Sequence, residues 1–277
     1  PKTTPNFFGN FGQPDGDNYV VYSNGSLLSD ALLGMKYVIT PNGKDKGQPG
    51  DPSTHLIGYR PDTARYNLKA NNHSTSVLEN PYALPIAFSA SDSALKTKML
   101  NNNPLENQGN LWQSLVGDLT SPVSVENFQK SIGHNVNAPT TITGATLIKK
   151  NKNNQAQLDL QFTPTTHDSY YLTIGPSLSI KDFDLLINGK IITQFSSYRH
   201  TVLVNLVTYA KDKQQTITIR FKNTTQLTLN NFTLYRVNMN QFKANQKKLA
   251  QNPLKITKRN ERFIAGEITT STQQPLI

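Results

Sequence analysis

The stretch FDLLINGKIITQF, Phe183 to Phe195, decides how this chain is read. Asn188 and Gly189 separate two runs of β-branched and aromatic residues, and both accept the positive φ that a two-residue type I′ turn demands. The spacing predicts a tight β-hairpin. Around it, LDLQFT (Leu158 to Thr163), YYLTI (Tyr170 to Ile174), TVLVNL (Thr201 to Leu206), QTITIRF (Gln215 to Phe221) and FTLYRV (Phe232 to Val237) recur at short intervals with polar turns between them. That recurrence predicts an antiparallel β-sandwich. Tyr170 and Tyr171 are neighbours on one predicted strand and point to opposite faces, so at least one belongs to a core.

Upstream the signals are mixed. Ser26 fits an N-cap ahead of LLSDALL, and Gly34 fits the left-handed residue that closes such a helix. MKYVIT (Met35 to Thr40) then alternates like a strand, and PNGKDKGQPGDPS reads as an exposed excursion. In VLENPYALPIAF (Val77 to Phe88), Pro81 and Pro85 restrict the segment to an edge strand or an extended crossing. Asn103 as cap, Pro104 at the first helical position and Glu106 as a capping-box carboxylate predict a helix start, with Gly117 as its end. Trp112 lies on the apolar face of that helix with Leu105, Leu111, Leu115 and Val116, which is core spacing. Downstream, MNQFKANQKKLAQNP predicts an amphipathic helix stopped by Pro253, and LKITKRN with RFIAGEITT a terminal hairpin. The expected class is α+β, predominantly β. Residues 1–125 form a mixed α/β domain, 126–240 the sandwich, and 241–277 a basic helix and hairpin.

With 277 residues, 36% of them hydrophobic, the chain has the size for two cores and the composition of a polar folded protein. Its apolar runs fall short of the ~18 residues of a membrane span, and no basic-then-apolar leader opens it, so the expectation is a soluble piece without an address of its own. The absence of cysteine removes disulfides, thiolate metal sites and cysteine nucleophiles. Charge is divided unevenly. Residues 1–125 hold 9 Lys+Arg against 10 Asp+Glu, a net of −1, whereas residues 126–277 hold 19 against 8, a net of +11. An excess of that kind suits polyanions, and it also suits a plain solvated surface.

Catalytic motifs are missing. Asp15-Gly16-Asp17 and Asp182-Phe183-Asp184 are D-x-D triplets of the type that can hold a divalent cation against a nucleotide sugar, but neither follows a βαβ framework. They read as a turn and a hairpin edge. His55, His73, His134, His167 and His200 are scattered singly, and no zinc motif, nucleophile elbow, P-loop or dinucleotide fingerprint is present. No catalytic residue, metal ligand or cofactor is expected. Aromatic side chains such as Tyr198, with Arg199 and His200 as donors, suit a sugar ring, and Lys243 and Lys247 suit an anion. Nucleic acid is not the expected partner, because the basic stretch from Lys243 to Arg262 lacks interleaved aromatics.

Three stretches together resemble the YfhO family of bacterial polytopic membrane proteins. SLLSDALLGMKYVIT matches a short "sdaLL" helix running into a "vKYvi" strand, including Lys36 and Tyr37. VLENPYALPIAF is similar to a "yeN.yaLPlgf" segment through Glu79, Asn80, Leu84 and Pro85. NPLENQGNLWQSLVG is similar to an "nPfenqn.l..sl.g" helix through Asn103, Pro104 and Glu106. These motif residues are expected to be structural. The resemblance is strong over residues 19–118, weaker across the sandwich, and lacks the family's later "PYd.GW" segment. It implies an extracytoplasmic domain of a GT-C type glycosyltransferase, on the outer face of the cell membrane of Gram-positive bacteria. The parent would decorate lipoteichoic acid or a related wall polymer from a lipid-linked sugar donor. The fragment itself would be non-catalytic and would hold an anionic polymer or glycan, its membrane helices lying outside the chain. The sandwich is expected to resemble carbohydrate-binding modules. The alternative is a self-standing carbohydrate-binding or adhesion module on the cell surface.

Overall fold

The computed structural model describes residues 3–16, 19–41, 59–99, 102–118, 120–176, 178–179, 181–192 and 199–270. In chain order it opens with α1 (Thr3–Gly9) and α2 (Leu27–Leu32), then β1 (Tyr37–Pro41), β2 (Asn67–Asn71) and β3 (Thr75–Glu79), then α3 (Pro104–Val116). The sandwich follows as β4 (Val123–Glu126), β5 (Lys130–His134), β6 (Thr146–Ile148), β7 (Gln157–Phe162), β8 (Ser169–Ile174), β9 (Phe183–Ile187), β10 (Lys190–Ile192), β11 (Val202–Thr208), β12 (Gln215–Phe221), β13 (Gln226–Thr228) and β14 (Thr233–Val237). α4 (Met239–Leu249) and a hairpin of β15 (Lys255–Arg259) and β16 (Ile264–Glu267) complete the described chain. The protein is mostly β, built from several antiparallel sheets.

The five-stranded sheet runs β10-β9-β12-β7-β5 and the four-stranded sheet β11-β8-β14-β4. Strand composition accounts for how they stack. In β7 and β12 alternate residues are buried, so Leu158, Leu160, Phe162, Ile217, Ile219 and Phe221 enter the core between the sheets while the intervening polar residues face outward. β8 is buried at every position. Tyr170, Leu172 and Ile174 enter the inter-sheet core, whereas Tyr171 enters a second core on the opposite face. The two tyrosines thus do face opposite ways, and both are core. The turn between β9 and β10 has φ of 50° at Asn188 and 79° at Gly189, as the Asn-Gly pair predicts.

The second core belongs to the outer face of the four-stranded sheet. Tyr171, Leu203, Tyr235 and Val237 meet Leu27, Leu28, Leu105, Trp112 and Leu115 from the N-terminal helices, with Met239, Phe242 and Leu249 from α4. Trp112 is fully buried, its indole N–H donates to the Leu28 carbonyl at 3.1 Å, and its ring meets Phe242 edge-on at 5.2 Å. A core role follows from the satisfied N–H as much as from the burial.

One local expectation is corrected. The capping box predicted at Asn103 and Glu106 is absent: the Asn103 side chain makes no cap bond, and the Glu106 carboxylate instead accepts from the Tyr235 hydroxyl at 3.0 Å. A tertiary partner has taken the group that would have reached back. The capping box forms at Ser26, where Ser29 is the reciprocal partner. In VLENPYALPIAF, β3 ends at Glu79 and the proline-bearing remainder crosses as loop, ending in a bridge between Phe88 and Pro253. Gly34 (φ 62°) and Gly117 (φ 72°) close α2 and α3 in the left-handed region. The predicted excursion after Thr40 falls largely outside the described residues.

Candidate functional site

Two of the family-like motifs are laced together. Gly34 reverses the chain after α2, and its left-handed φ brings the following residues alongside the 80s loop. The Leu84 N–H donates to the Ala31 carbonyl at 2.9 Å and the Asn80 N–H to the Lys36 carbonyl at 2.8 Å. The buried Asn80 side chain donates to the Met35 carbonyl at 3.0 Å and accepts from the Tyr82 N–H at 2.9 Å. This lacing shapes an open cavity of about 540 Å³. Lys36, Asn67, Glu79 and Asn80 supply its polar lining, and Pro81, Leu84, Pro85 and Ile86 its apolar lining, with Gly34, Ala83 and Ala250 filling the gaps.

Glu79 is the centre of charge at this cavity. Its carboxylate lies 2.7 Å from the Lys69 ammonium and 3.9 Å from that of Lys36. Hydrogen bonding to Glu79, reinforced by its charge, raises the Lys69 ammonium above its ordinary value. Lys36 also lies 5.6 Å from the Tyr37 ring centroid. The set can donate and accept hydrogen bonds beside an apolar wall, which suits a hydroxyl-rich ligand. It contains no nucleophile paired with a base. Lys36, Glu79, Asn80, Leu84 and Pro85 are therefore brought together at one cavity, with Tyr37 beside it.

The third motif goes elsewhere. Pro104 is buried in the first turn of α3, where Asn107 donates to the Asn10 carbonyl at 2.8 Å and Gln108 to the Phe11 carbonyl at 2.9 Å. Ser26 donates to Gln108 at 2.5 Å. Asn107 and Gln108 thus tie α3 to the turn after α1 and Glu106 ties it to the sandwich, while Asn103 and Pro104 stand at the start of the helix.

The residues expected to bind substrate do not form one constellation. Tyr198 lies outside the described residues. Arg199 and His200 are engaged with Asp15: Arg199 Nε is 2.7 Å from Asp15 Oδ2, and His200 Nδ1 is 2.7 Å from Asp15 Oδ1. Arg199 also donates to the Gly16 carbonyl at 2.8 Å. Lys243 and Lys247 project from the exposed side of α4. The Asp15 carboxylate is fully buried, so the first D-x-D triplet holds a structural ion pair rather than a simple turn. In the second, Asp184 pairs with Arg220 at 2.9 Å and Lys222 at 3.4 Å. No group of three metal-ligating side chains exists among the described residues.

One buried cluster was not anticipated. Arg60 bridges Asp30 at 2.8 Å and Asp62 at 2.8 Å, all three being nearly inaccessible. Tyr22 donates to Asp30 at 2.6 Å, Tyr66 to Asp30 at 2.7 Å and Tyr171 to Asp62 at 3.0 Å. Burial, with Asp30 beside them, pushes the Tyr22 and Tyr66 hydroxyls well up, and burial with Asp62 does the same to Tyr171. Burial opposes the Arg60 charge but is outweighed by the two carboxylates, which hold the guanidinium well above its usual range. The one sequence signal was a charged residue, Asp30, inside the largely apolar LLSDALL helix.

A family model described as "Bacterial membrane protein YfhO" matches residues 1–277. The chain belongs to the YfhO family. No helix among the described residues of this YfhO chain is long and apolar enough to cross a membrane. No curated protein matches it. Among solved structures it is similar to a GH26-CBM35 β-(1,4)-mannanase from Podospora anserina, at 11% identity and a TM-score of 0.27, over 42% of this chain and 27% of that one. It is also similar to a family 35 carbohydrate-binding module from Clostridium thermocellum, at 11% identity and a TM-score of 0.25, over 41% of this chain and 96% of that one. A third likeness is to the PA14 domain of the MpAFP antifreeze protein, at 12% identity and a TM-score of 0.16, over 55% of this chain and 78% of that one.

Proposed function

We propose that this YfhO chain is an extracytoplasmic, non-catalytic domain of a polytopic GT-C type glycosyltransferase. The parent protein transfers sugar from a lipid-linked donor to a wall polymer such as lipoteichoic acid in Gram-positive bacteria, and this domain positions the acceptor. The observation that carries the reading is the family match along the entire chain, in a polypeptide whose described helices cannot span a bilayer. Three further features support it. The motif residues Lys36, Glu79 and Asn80 gather at an open, hydroxyl-friendly cavity. Of the D-x-D carboxylates, Asp15 and Asp184 are consumed in ion pairs. The net charge of +11 over residues 126–277 favours an anionic acceptor held by long-range attraction.

The test is made in cells that produce the full-length membrane protein. Glu79→Ala combined with Lys36→Ala is expected to lower the sugar content of the wall polymer at least tenfold while the protein stays at normal abundance in the membrane. Purified chain mixed with a lipid-linked sugar is expected to release no product. Sugar release by the purified chain, or a wall polymer with unchanged sugar in the double variant, overturns the reading.

A further inference from the structure

The excess positive charge is concentrated at particular places, and one end of the sandwich stands out. There the loop before β7 carries Lys149, Lys150 and Lys152, the turn before β9 carries Lys181, Arg220 lies in the last residues of β12 and Lys222 just follows that strand. Backbone bonds hold these segments together. The Lys149 N–H donates to the Thr225 carbonyl at 2.9 Å, the Lys222 N–H to the Asp182 carbonyl at 2.8 Å, and the Asn223 amide to the Lys181 carbonyl at 3.0 Å. Gln155 donates to the Phe221 carbonyl at 2.7 Å, and Lys149 lies 5.9 Å from the Phe221 ring.

Six cations therefore share this end with two carboxylates, Asp182 and Asp184. Asp184 already engages Arg220 and Lys222. Lys150, Lys152 and Lys181 are exposed and make no ion pair among the described residues. Neighbouring strands of a sheet stand about 4.8 Å apart. The segments before β7 and β9 flank β12 and so stand two such spacings apart, on the order of the ~8 Å screening length of physiological salt, and the long lysine side chains can act on one ligand together.

We infer that this end of the sandwich, with Lys150, Lys152 and Lys181 at its exposed edge, is a docking surface for a linear phosphate-bearing polymer chain rather than for a lipid headgroup. The surface deepens the acceptor reading given above, and rests on it for its biological meaning, but the contact itself is a property of this chain alone. A row of ammonium groups without interleaved aromatic rings reads phosphate spacing and charge rather than bases.

Inorganic polyphosphate is the probe, titrated against the whole 277-residue chain by fluorescence anisotropy over a salt series. The triple variant Lys150→Gln, Lys152→Gln, Lys181→Gln is expected to weaken binding at low salt at least tenfold. It should also flatten the slope of log affinity against log salt by about 2, in line with the counterions no longer displaced. A control triple at the opposite end, Lys190→Gln, Lys211→Gln, Lys213→Gln, has the same net charge and is expected to bind within about twofold of the original. Equal losses in both triples, no loss in the first, or tighter binding to anionic phosphatidylglycerol vesicles than to polyphosphate would each overturn the inference. Circular dichroism matching the original chain establishes that each triple is folded. Installing the first triple in the full-length protein separates the two readings. If polyphosphate binding is lost while wall-polymer sugar is unchanged, the docking surface stands and the acceptor role falls.

Discussion

Replacing Arg60 by leucine gives the sharpest test of how the N-terminal region is held to the sandwich. The guanidinium sits between the Asp30 and Asp62 carboxylates, each with a side chain about 1% exposed. Leucine fills much of the volume and removes the cation that bridges the cluster, leaving two buried carboxylates with tyrosine hydroxyls donating to them. Breaking a buried ion pair from one side costs about 3–5 kcal/mol, because the remaining charge loses its compensation. By comparison, Tyr171→Phe deletes one hydroxyl that donates to Asp62 and accepts from the Leu27 N–H at 3.3 Å, for an expected cost of about 1–3 kcal/mol.

The pH dependence gives the Arg60 experiment its sign. Burial raises the Asp62 carboxyl above its ordinary range although Arg60 beside it pulls the other way. Between the unfolded value of about 3.9 and that raised value, the folded chain binds more protons than the unfolded chain. The stability contributed by Asp62 is then present at low pH and lost as pH rises through the window. Removing Arg60 removes the lowering influence, so the window extends upward and the Arg60→Leu deficit shrinks when pH falls from 7 to 5. Urea unfolding at both values, followed by the fluorescence of the single tryptophan, measures it. A loss below about 1 kcal/mol at pH 7, or a deficit that grows toward pH 5, refutes the assignment of this cluster.

Other expectations concern the two cores and the turn. Trp112→Phe is expected to cost about 1–3 kcal/mol through lost volume and the lost hydrogen bond to the Leu28 carbonyl, and the native chain should emit in the blue, shifting red on unfolding, as emission spectra will show. Gly189→Val places a β-branched side chain at φ 79° and is expected to lower the unfolding midpoint by an amount corresponding to about 1–2 kcal/mol, and Asn188→Gly, which keeps the turn but loses the side-chain bonds to Gln215 and the Thr216 N–H, by about 1–2 kcal/mol. Gly175→Ala drives a methyl group into the Asn230 carbonyl, and an expected loss of about 1–3 kcal/mol in the same urea assay reports that close backbone approach.

The sandwich was legible because its strands obey a period of two and its turn chemistry is unambiguous: β7 and β12 alternate, and Asn188-Gly189 admits one turn type. What periodicity could not disclose was a second layer on β8. Ser169 to Ile174 reads as a continuous apolar and small-polar run, and only the tertiary structure reveals that the N-terminal helices cover its other face. The same limit hid the ion clusters. Asp15 and Arg199 are far apart in sequence, as are Asp30 and Arg60, and nothing local distinguishes a carboxylate that will be buried against a guanidinium from one that will be solvated. The motif residues Lys36, Glu79 and Asn80 could be selected from sequence, yet their convergence depends on the reversal at Gly34 and on backbone bonds across some fifty residues.

The asymmetry between the two sheets also constrains where a partner can reach this protein. The outer face of the four-stranded sheet is occupied by Trp112, Phe242 and their neighbours, so a ligand cannot approach it without unfolding the second core. The outer face of the five-stranded sheet has no such cover among the described residues. Strand register sets Asp184, Arg220, Gln157 and His134 side by side across four strands, followed by Thr218 beside Asp159 in the next row. Asp159 accepts from Thr218 at 2.6 Å and from Gln157 at 3.2 Å, with His134 at 3.3 Å. A carboxylate held from three sides is already oriented before any ligand arrives, which reduces the ordering cost of binding. Because Arg220 belongs both to this row and to the basic end, a polymer engaging that end would run onto the polar face. Arg220→Gln should therefore weaken polyphosphate binding more than Lys130→Gln, which removes a charge at the far edge of the same sheet. The reverse order would place the polymer elsewhere on the molecule.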